Sequence, residues 1–314
     1  MVYSPLCIVG GGAIGGLISM FLYRGGVTDI TVYYRSWSSI EAVEREGGIL
    51  VKTSGREYLI SVKPRHYTLP GDKCDIILNC VKAVDVKDTI DLIRNISHDH
   101  TLIVSLQNGF GSLELLEEKL GYHRVACGVV NCGALRVAPS VVEERGIGEI
   151  IFGQRKYVHP LLLELAEIIR RGGCPSRVTV YLSKYRWLKL SINAVINPLT
   201  AITRSRNSIV LTPWGREIAY NILEELVKAA ELDGVKLELD RLYRYVLRIA
   251  KITSNNYSSM LQDILHGKIT EIDYINGVIV EKLEKHGLEA RINKLITNLI
   301  HLIEHSTSTN LAKT

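Results

Sequence analysis

The stretch that decides the fold is "LCIVGGGAIGGLISMFLYRGG", residues 6–26. It passes from a short apolar run typical of a buried strand, through clustered glycines, into the apolar periodicity of a helix. Three of its glycines fit the spacing G-x-G-x-x-G. Such glycines permit a tight turn, close approach of a pyrophosphate to the backbone, and close packing of the helix on the strand. The stretch therefore predicts a dinucleotide-binding turn, with these cofactor contacts: Gly10, Gly11, Gly12, Ala13, Ile14 and Gly15. The alternative is a glycine-rich turn that binds no ligand.

Strand and helix patterns alternate from this turn to about residue 181. Further strands are expected in "DITVYYR", "EYLISVK", "CDIILNCVK", "TLIVSLQNG", "RVACGVVNCGAL" and "RVTVYL". Helical segments are expected near 85–96 and 112–120 and in "HPLLLELAEIIRRGG". The run "VVEERGIGEIIFG" is interpreted as a hairpin, because two β-rich runs flank a glycine-containing turn. The alternation predicts a parallel sheet with helices on both faces.

From about residue 183 the pattern becomes helical and stays so to the C-terminus. Breaks fall at "TPWG", "ELDGVKL", "HGK" and "KHG". The sequence therefore predicts an α/β protein with two domains. A Rossmann-type doubly wound sheet is expected in residues 1–181, and an all-helical domain is expected in residues 182–314.

The composition favours an ordinary two-domain globular protein. The chain has 314 residues, 46% of them hydrophobic, and its net charge of +5 comes from dispersed basic residues. This argues against a nucleic-acid partner, and no apolar run is long enough to cross a bilayer. No basic segment precedes the first apolar stretch, so we expect a cytoplasmic protein.

The six cysteines lack C-x-x-C spacing and are expected to be reduced core thiols, with a structural disulfide as the less favoured alternative. No metal-ligand spacing is present, so we expect no metal.

The choice between NADP(H) and NAD(H) is indicated by the end of the second strand. Sites that prefer NAD(H) place an acid there, about 20 residues after the glycines, against the ribose 2′-hydroxyl. This chain instead reads Tyr33, Tyr34, Arg35, Ser36. Arg35 could pair with a 2′-phosphate through charge-assisted hydrogen bonds. NADP(H) is therefore preferred, NAD(H) is not excluded, and the alternative is that Arg35 is a solvated residue.

A second stretch, "RWLKLSINAVINPLTAIT" at 186–203, has the pattern of a core helix but carries polar residues at regular intervals. Lys189, Asn193 and Asn197 stand four residues apart and so share one helix face. Burying an unpaired ammonium or amide is costly, which indicates a polar ligand in front of them. Pro198 lacks an N–H and is expected to kink or end this helix.

Four stretches together give the chain a family resemblance. They are "CVKAVDV" (80–86), "SLQNGFGS" (105–112), the lysine- and asparagine-bearing helix, and "NNYSSMLQDILHGKITEIDYINGVIV" (255–280). In this order they strongly resemble the ketopantoate reductase family over almost the whole chain. The resemblance implies a Rossmann domain, a helical domain with a substrate cleft between the two, and reduction of 2-dehydropantoate to pantoate with NADPH.

The resemblance also implies roles for individual residues. Lys189 matches the catalytic lysine and Glu271 the acidic partner in the site. Lys82 matches a cofactor position, while Asn108 and Glu271 match positions near both cofactor and substrate. The substrate positions are Asn108, Asn193, Asn197, Asn207, Asn256 and Ser259. A compact ammonium at Lys189 could polarise and protonate the developing alkoxide.

Each of these residues has an ordinary structural interpretation when it is taken alone. Lys189 and Lys82 could be solvated lysines, the asparagines could be packing, capping or turn residues, Ser259 a plain helix serine, and Glu271 an acid near a helix N-terminus. Two other functions also stay open. The protein could reduce another small branched 2-keto acid, or it could be a non-catalytic NADP(H)-binding redox sensor. Apolar C-terminal helices such as "INKLITNLIHLI" favour a homodimer.

Overall fold

The computed structural model of the protein describes residues 5–156 and 158–311, with side chains up to residue 306. Twelve strands are present in the described residues. They are β1 Leu6–Val9, β2 Ile30–Tyr34, β3 Ile49–Lys52, β4 Glu57–Ile60, β5 Lys63–His66, β6 Cys74–Asn79, β7 Ser97–Ser105, β8 Val125–Val130, β9 Gly133–Ala138, β10 Val141–Gly146, β11 Ile150–Gly153 and β12 Ser176–Thr179.

Eleven α-helices accompany these strands in the described part of the chain. They are α1 Ala13–Arg24, α2 Trp37–Glu46, α3 Ile90–Asn95, α4 Ser112–Leu120, α5 Pro160–Arg171, α6 Leu182–Thr203, α7 Pro213–Leu232, α8 Leu239–Ile252, α9 Ser259–Leu265, α10 Val278–Lys285 and α11 Arg291–Leu311. Tighter 3₁₀ turns occupy Ala83–Asp85, Lys87–Thr89 and Asn207–Leu211, and a π turn occupies Asp273–Gly277.

The main sheet has eight strands in the order β12-β11-β8-β7-β6-β1-β2-β5. The six strands from β8 to β5 pair in parallel, whereas β11 runs antiparallel to β8. The chain builds outward from β1 to β2 and β5 on one side, then returns to β6, β7 and β8 on the other. Strand order therefore reverses beside β1, and ligands of open α/β sheets bind at the carboxyl ends of strands at such a point. The predicted Rossmann-type sheet is confirmed.

A second sheet of four strands, in the order β4-β3-β10-β9, was not predicted. It covers α1, where a side chain on Gly16 would collide with Val142 of β10. The predicted hairpin in "VVEERGIGEIIFG" is wrong because its two halves belong to different sheets. Strand β10 pairs with β9 and β3, while β11 pairs with β8 and β12. The runs "EYLISVK" and "RVACGVVNCGAL" each divide for the same reason, into β4 with β5 and β8 with β9.

The chain divides into two compact units. The first contains the residues up to Gln107 together with Ser112–Leu182, and it holds both sheets. The second contains Asn108–Gly111 and the chain from Ser183 onward. Its described residues form helices and turns around a separate apolar core, in which Trp187 is fully buried and donates its indole N–H to Asp233 Oδ2 at 3.1 Å. No helix in the described part of the chain combines the length and hydropathy needed to span a bilayer.

The cysteines differ from the expectation in one respect. Cys7 and Cys74 are joined by a disulfide, so the prediction that the thiols are reduced is wrong for this pair. Cys80, Cys127, Cys132 and Cys174 are thiols outside any disulfide. The pair lies 67 residues apart in sequence, and only the fold brings the two thiols together.

Candidate active site

The glycine turn between β1 and α1 is shaped by close backbone contacts. Gly10 has φ +101°, and a side chain there would lie 2.8 Å from the backbone nitrogen of Val81. A side chain on Gly15 would collide with the carbonyl oxygen of Gly10. Gly12 caps α1 with φ −81°, and nothing lies within 4 Å of the position that a side chain would take. The turn therefore leaves open space in front of the helix N-terminus, as pyrophosphate binding requires.

Gly11 and Ala13–Ile14 complete this turn. The ring of Tyr34 packs directly against Gly11 and would collide with any side chain there. Burial raises the pKa of Tyr34, with a smaller opposing effect from the charge of Arg136. The phenol therefore stays neutral and closes one side of the turn.

Three further polar residues follow strands β2, β6 and β7 of the main sheet. Arg35 follows β2, and Lys82 precedes the 3₁₀ turn after β6 and is half-buried. Gln107, which the sequence analysis did not select, follows β7. Its Nε2 donates to the carbonyl oxygens of Asn79 at 2.8 Å and Val81 at 3.1 Å. Gln107 thus ties the end of β7 to the loop that carries Lys82.

The lysine- and asparagine-bearing helix is α6, in the second unit. Lys189 is half-buried, while Asn193 and Asn197 are buried. Pro198 was expected to kink or end this helix. The helix does not end there but continues to Thr203. Pro198 cannot donate to the carbonyl oxygen of Ala194, four residues earlier, so that oxygen needs another donor.

The missing donor is supplied by Asn276 of the π turn. Its Nδ2 lies 3.0 Å from the carbonyl oxygen of Ala194 and 2.9 Å from Oδ1 of Asn293. Asn293 donates in turn to Glu225 Oε2 at 2.7 Å, and the same carboxylate accepts the backbone N–H of Asn293 at 2.9 Å. Asn276, Asn293 and Glu225 were not predicted from the sequence as site residues. These buried residues hold the polar face of α6 in place.

Residues 108–111 are packed into the second unit. Nδ2 of Asn108 donates to Glu271 Oε2 at 3.2 Å, and Phe110 N donates to the carbonyl oxygen of Tyr274 at 3.0 Å. The guanidinium of Arg186 lies 4.0 Å from the ring centre of Phe110. The structure therefore brings Asn108 and Glu271 into direct contact, although they are 163 residues apart in sequence.

Asn207 and Asn256 form a second contact among the predicted residues. Asn207 donates its backbone N–H to the carbonyl oxygen of Asn256 at 3.0 Å and its Nδ2 to Thr253 Oγ1 at 2.9 Å. Asn207 is buried, whereas the Asn256 and Ser259 side chains are exposed. An open pocket of about 390 Å³ is lined by residues on both sides of Asn207 in the chain, among them Arg204 and Arg206. The pocket therefore presents positive charge.

Ser259 is the first residue of α9, and its neighbour Ser258 fixes the helix start. Ser258 Oγ accepts the backbone N–H of Leu261 at 3.1 Å and the hydroxyl of Thr200, on α6, at 2.6 Å. Through its neighbour Ser258, Ser259 is thus tied to α6 at Thr200, which lies three residues after Asn197.

Two of the predicted substrate residues have buried polar atoms without a partner. They are Nδ2 of Asn193, a donor, and Oδ1 of Asn207, an acceptor. Leaving such an atom unpaired costs about 1–3 kcal/mol, and a bound polar ligand would remove the penalty. Among the described residues, no group of three or more His, Cys, Asp or Glu side chains is arranged to hold a metal ion.

Comparison with known proteins identifies the family. The family model for ketopantoate reductase PanE/ApbA matches residues 6–157, and the model for its C-terminal part matches residues 182–304. A 2-dehydropantoate 2-reductase of Pyrococcus horikoshii is 33% identical over 295 residues, which cover 93% of this chain and 95% of the relative.

Solved structures agree with this finding. A PanE/ApbA family ketopantoate reductase from Ralstonia eutropha superimposes with a TM-score of 0.87 at 26% identity, covering 97% of this chain and 99% of that one. D-Mandelate dehydrogenase in complex with NADH and anilino(oxo)acetate superimposes with a TM-score of 0.92 and the same coverage, but at 21% identity it shows the fold alone. The chain belongs to the ketopantoate reductase family.

Proposed function

We propose that the protein reduces 2-dehydropantoate to (R)-pantoate, a step of pantothenate and coenzyme A synthesis, with NADPH as the preferred hydride donor. The observation that carries the proposal is the half-buried Lys189 on one helix face with the buried amides of Asn193 and Asn197, in the same unit as the Asn108–Glu271 pair. Full-length relatives named 2-dehydropantoate 2-reductase support it. The cytoplasmic location and the homodimer expected from sequence stay predictions.

The first unit, in this proposal, binds the cofactor. The space in front of Gly12 would accept the pyrophosphate, and Arg35 and Lys82 offer positive charge beyond the ends of the two strands that flank β1. The fit between these residues and a dinucleotide is good, since a methyl group at Gly12 would meet open space rather than protein. When bound, the reduced nicotinamide supplies a hydride to the carbonyl carbon of the substrate.

The second unit would bind the substrate, including its carboxylate. Nδ2 of Asn193, which lacks a partner, is available to donate to a substrate oxygen, and Oδ1 of Asn207 is available to accept from the substrate hydroxyl. Asn256 and Ser259 are exposed uncharged donors suited to a carboxylate. These four residues match the functional groups of 2-dehydropantoate, which has a carboxylate, a ketone and a hydroxyl.

Lys189 is the proposed general acid. Its ammonium would donate a hydrogen bond to the ketone oxygen, stabilise the negative charge that develops there, and transfer a proton to it. In this role Glu271, as the partner carboxylate, would favour the charged form of the Lys189 amine. The hydrogen bond from Asn108 to Glu271 holds that carboxylate in a fixed orientation.

Oxidation of NADPH, followed by absorbance, tests the proposal with 2-dehydropantoate and a set of other branched 2-keto acids. Turnover with 2-dehydropantoate is expected. Turnover with a different acid alone would indicate the related reductase, and cofactor binding without any turnover would indicate the redox sensor.

Lys189→Ala should lower kcat by about 10²–10⁴-fold, the usual contribution of a positioned acid, while the Kd for NADPH stays within about twofold. Lys184→Ala, which removes an exposed lysine from the same helix, is the matched control and should keep full activity. Near-normal turnover by Lys189→Ala would remove this lysine from the mechanism.

A further inference from the structure

The guanidinium of Arg35 is already paired with a carboxylate of the protein. Nη1 of Arg35 lies 2.8 Å from Oδ1 of Asp85, and the two side chains are 68% and 31% exposed. Arg35 follows β2 and Asp85 ends the 3₁₀ turn after β6, so the ion pair joins the strands on either side of β1. This is the edge of the sheet at which dinucleotide-binding proteins distinguish a ribose 2′-hydroxyl from a 2′-phosphate.

The backbone around Arg35 is held independently of this ion pair. Nε2 of His66 lies 2.7 Å from the carbonyl oxygen of Arg35, which can only accept, so Nε2 carries the proton. Nδ1 of His66 accepts the backbone N–H of Thr68 at 3.3 Å, which fits the same tautomer. The imidazole stacks on Trp37 with ring centres 4.4 Å apart and planes within 5°. The main chain at Arg35 is thus fixed, and the exposed guanidinium is the part that can exchange partners.

Asp85 combines two properties that matter for the cofactor. It is an acid, the residue type that accepts a hydrogen bond from a ribose 2′-hydroxyl, although it follows β6 and the usual acid follows β2. It also neutralises the guanidinium that would otherwise be fully available to a 2′-phosphate. A phosphate carries about −1.5 to −2 charges near neutral pH and would be repelled by the nearby carboxylate.

We infer that Asp85 is a specificity-determining residue that competes with the 2′-phosphate for Arg35 and so allows the enzyme to bind NADH as well as NADPH. The inference rests on the proposed function, because it assumes that the glycine turn binds a nicotinamide dinucleotide. With NADPH, Arg35 leaves Asp85 for the 2′-phosphate. With NADH, the ion pair persists and Asp85 accepts the 2′-hydroxyl.

The test measures the Kd of NADPH and of NADH separately, by the fluorescence of the reduced nicotinamide and by titration calorimetry, without substrate. Asp85→Asn keeps the size of the side chain but removes its charge. NADPH binding should tighten by about tenfold, because the repulsion of the 2′-phosphate and the competition for Arg35 disappear. NADH binding should weaken, because the carboxylate that accepts the 2′-hydroxyl is lost. Asp88→Asn removes an exposed acid from the adjacent turn and is the matched control, with an unchanged NADPH/NADH ratio. Asp85→Glu retains the charge and should retain the wild-type ratio.

A second comparison separates a direct role from a structural one. In the Arg35→Gln background, Asp85→Asn should change the NADPH affinity by a smaller factor than it does in the wild type, since the competition for Arg35 has gone. An NADPH/NADH ratio that stays within twofold of the wild type in Asp85→Asn would overturn the inference, as would an equal loss of both cofactors. Failure of the wild-type protein to bind either cofactor would instead overturn the proposed function itself.

Discussion

Asn276 is the residue whose replacement tests the physical account of α6 most directly. Its Nδ2 donates two hydrogen bonds, to the carbonyl oxygen of Ala194 and to Asn293 Oδ1, and both asparagines are fully buried. Asn276→Leu keeps the side-chain volume close to the original but removes both donors. The Ala194 oxygen then loses the donor that substitutes for the absent N–H of Pro198.

The expected loss of stability follows from these contacts. Each buried acceptor left without a donor costs about 1–3 kcal/mol, so two acceptors cost roughly 2–6 kcal/mol. Oδ1 of Asn276 is itself buried and without a partner, and its removal returns part of that cost, about 1 kcal/mol. The free energy of unfolding of the second unit should therefore fall by about 1–5 kcal/mol.

Denaturation by urea, followed through tryptophan fluorescence in a background where Trp37 and Trp214 are replaced by Phe so that Trp187 in the core of the second unit reports, measures this quantity. Asn255→Leu, at an exposed position in the same unit, is the control and should change stability by less than about 0.5 kcal/mol. Pro198→Ala restores a backbone N–H four residues after Ala194. In that background the cost of Asn276→Leu should shrink by about 1–2 kcal/mol, the coupling energy typical of residues in one network.

Two results would refute this reasoning. A loss below about 1 kcal/mol in Asn276→Leu would mean that the two acceptors find other donors. If the stability changes of Asn276→Leu and Pro198→Ala simply add in the double variant, Asn276 does not compensate for the proline.

Two further predictions concern the cofactor turn and a surface histidine. Gly12→Ala should leave the free energy of unfolding within about 0.5 kcal/mol, because the added methyl meets no protein atom, yet weaken NADPH binding roughly tenfold or more; Gly15→Ala, which collides with the Gly10 carbonyl, should lower stability instead. Burial alone would lower the pKa of His301, but hydrogen bonds and charges from Glu304 and Asp273 outweigh it and raise this pKa above 6.5. The stabilisation, about 0.2–1 kcal/mol for so exposed a group, is fully present below pH 6.5 and is lost as the pH rises through the raised pKa. Unfolding of His301→Gln measured from pH 5.5 to 8.5 should lack this decline, and an unchanged slope would contradict it.

The main sheet could be predicted because its signals are local. The glycine turn after β1 has a fixed spacing, and the alternation of apolar runs with amphipathic segments favours parallel strands and helices. The helical unit could be predicted equally well, since its segments with helical periodicity are long. Each signal occupies one continuous stretch and needs no knowledge of distant partners.

The second sheet could not be predicted because its pairing is decided over long range. Strand β10 pairs in parallel with β3, so that Val142 lies opposite Val51, 91 residues earlier in the chain. Nothing within "VVEERGIGEIIFG" distinguishes that arrangement from a hairpin. The disulfide between Cys7 and Cys74 has the same character, since only the finished fold brings the two thiols together.

The polar residues of the candidate site could be predicted from the sequence, but the buried residues that hold them in place could not. Lys189, Asn193 and Asn197 stand out because polar groups recur on an apolar helix. Asn276 looks ordinary in "TEIDYINGV" unless Pro198 is considered with it. A proline inside a buried helix leaves a carbonyl oxygen four residues earlier without its usual donor. That requirement is a sequence signal for a buried amide elsewhere, and it could have directed attention to Asn276.

The position of Asn276 also explains why a proline is tolerated in the helix that carries Lys189. Glu271 and Asn276 lie five residues apart on one segment, joined through the π turn, and irregular turns of this kind occur frequently at functional sites. One end of the segment meets Asn108 and the other meets α6 at Ala194, next to Asn193. An apolar side chain at Asn276 could fill the same space but could not satisfy the Ala194 oxygen. The amide therefore ties the segment that carries Glu271 to the helix that carries Lys189, as the roles proposed for these two residues would require.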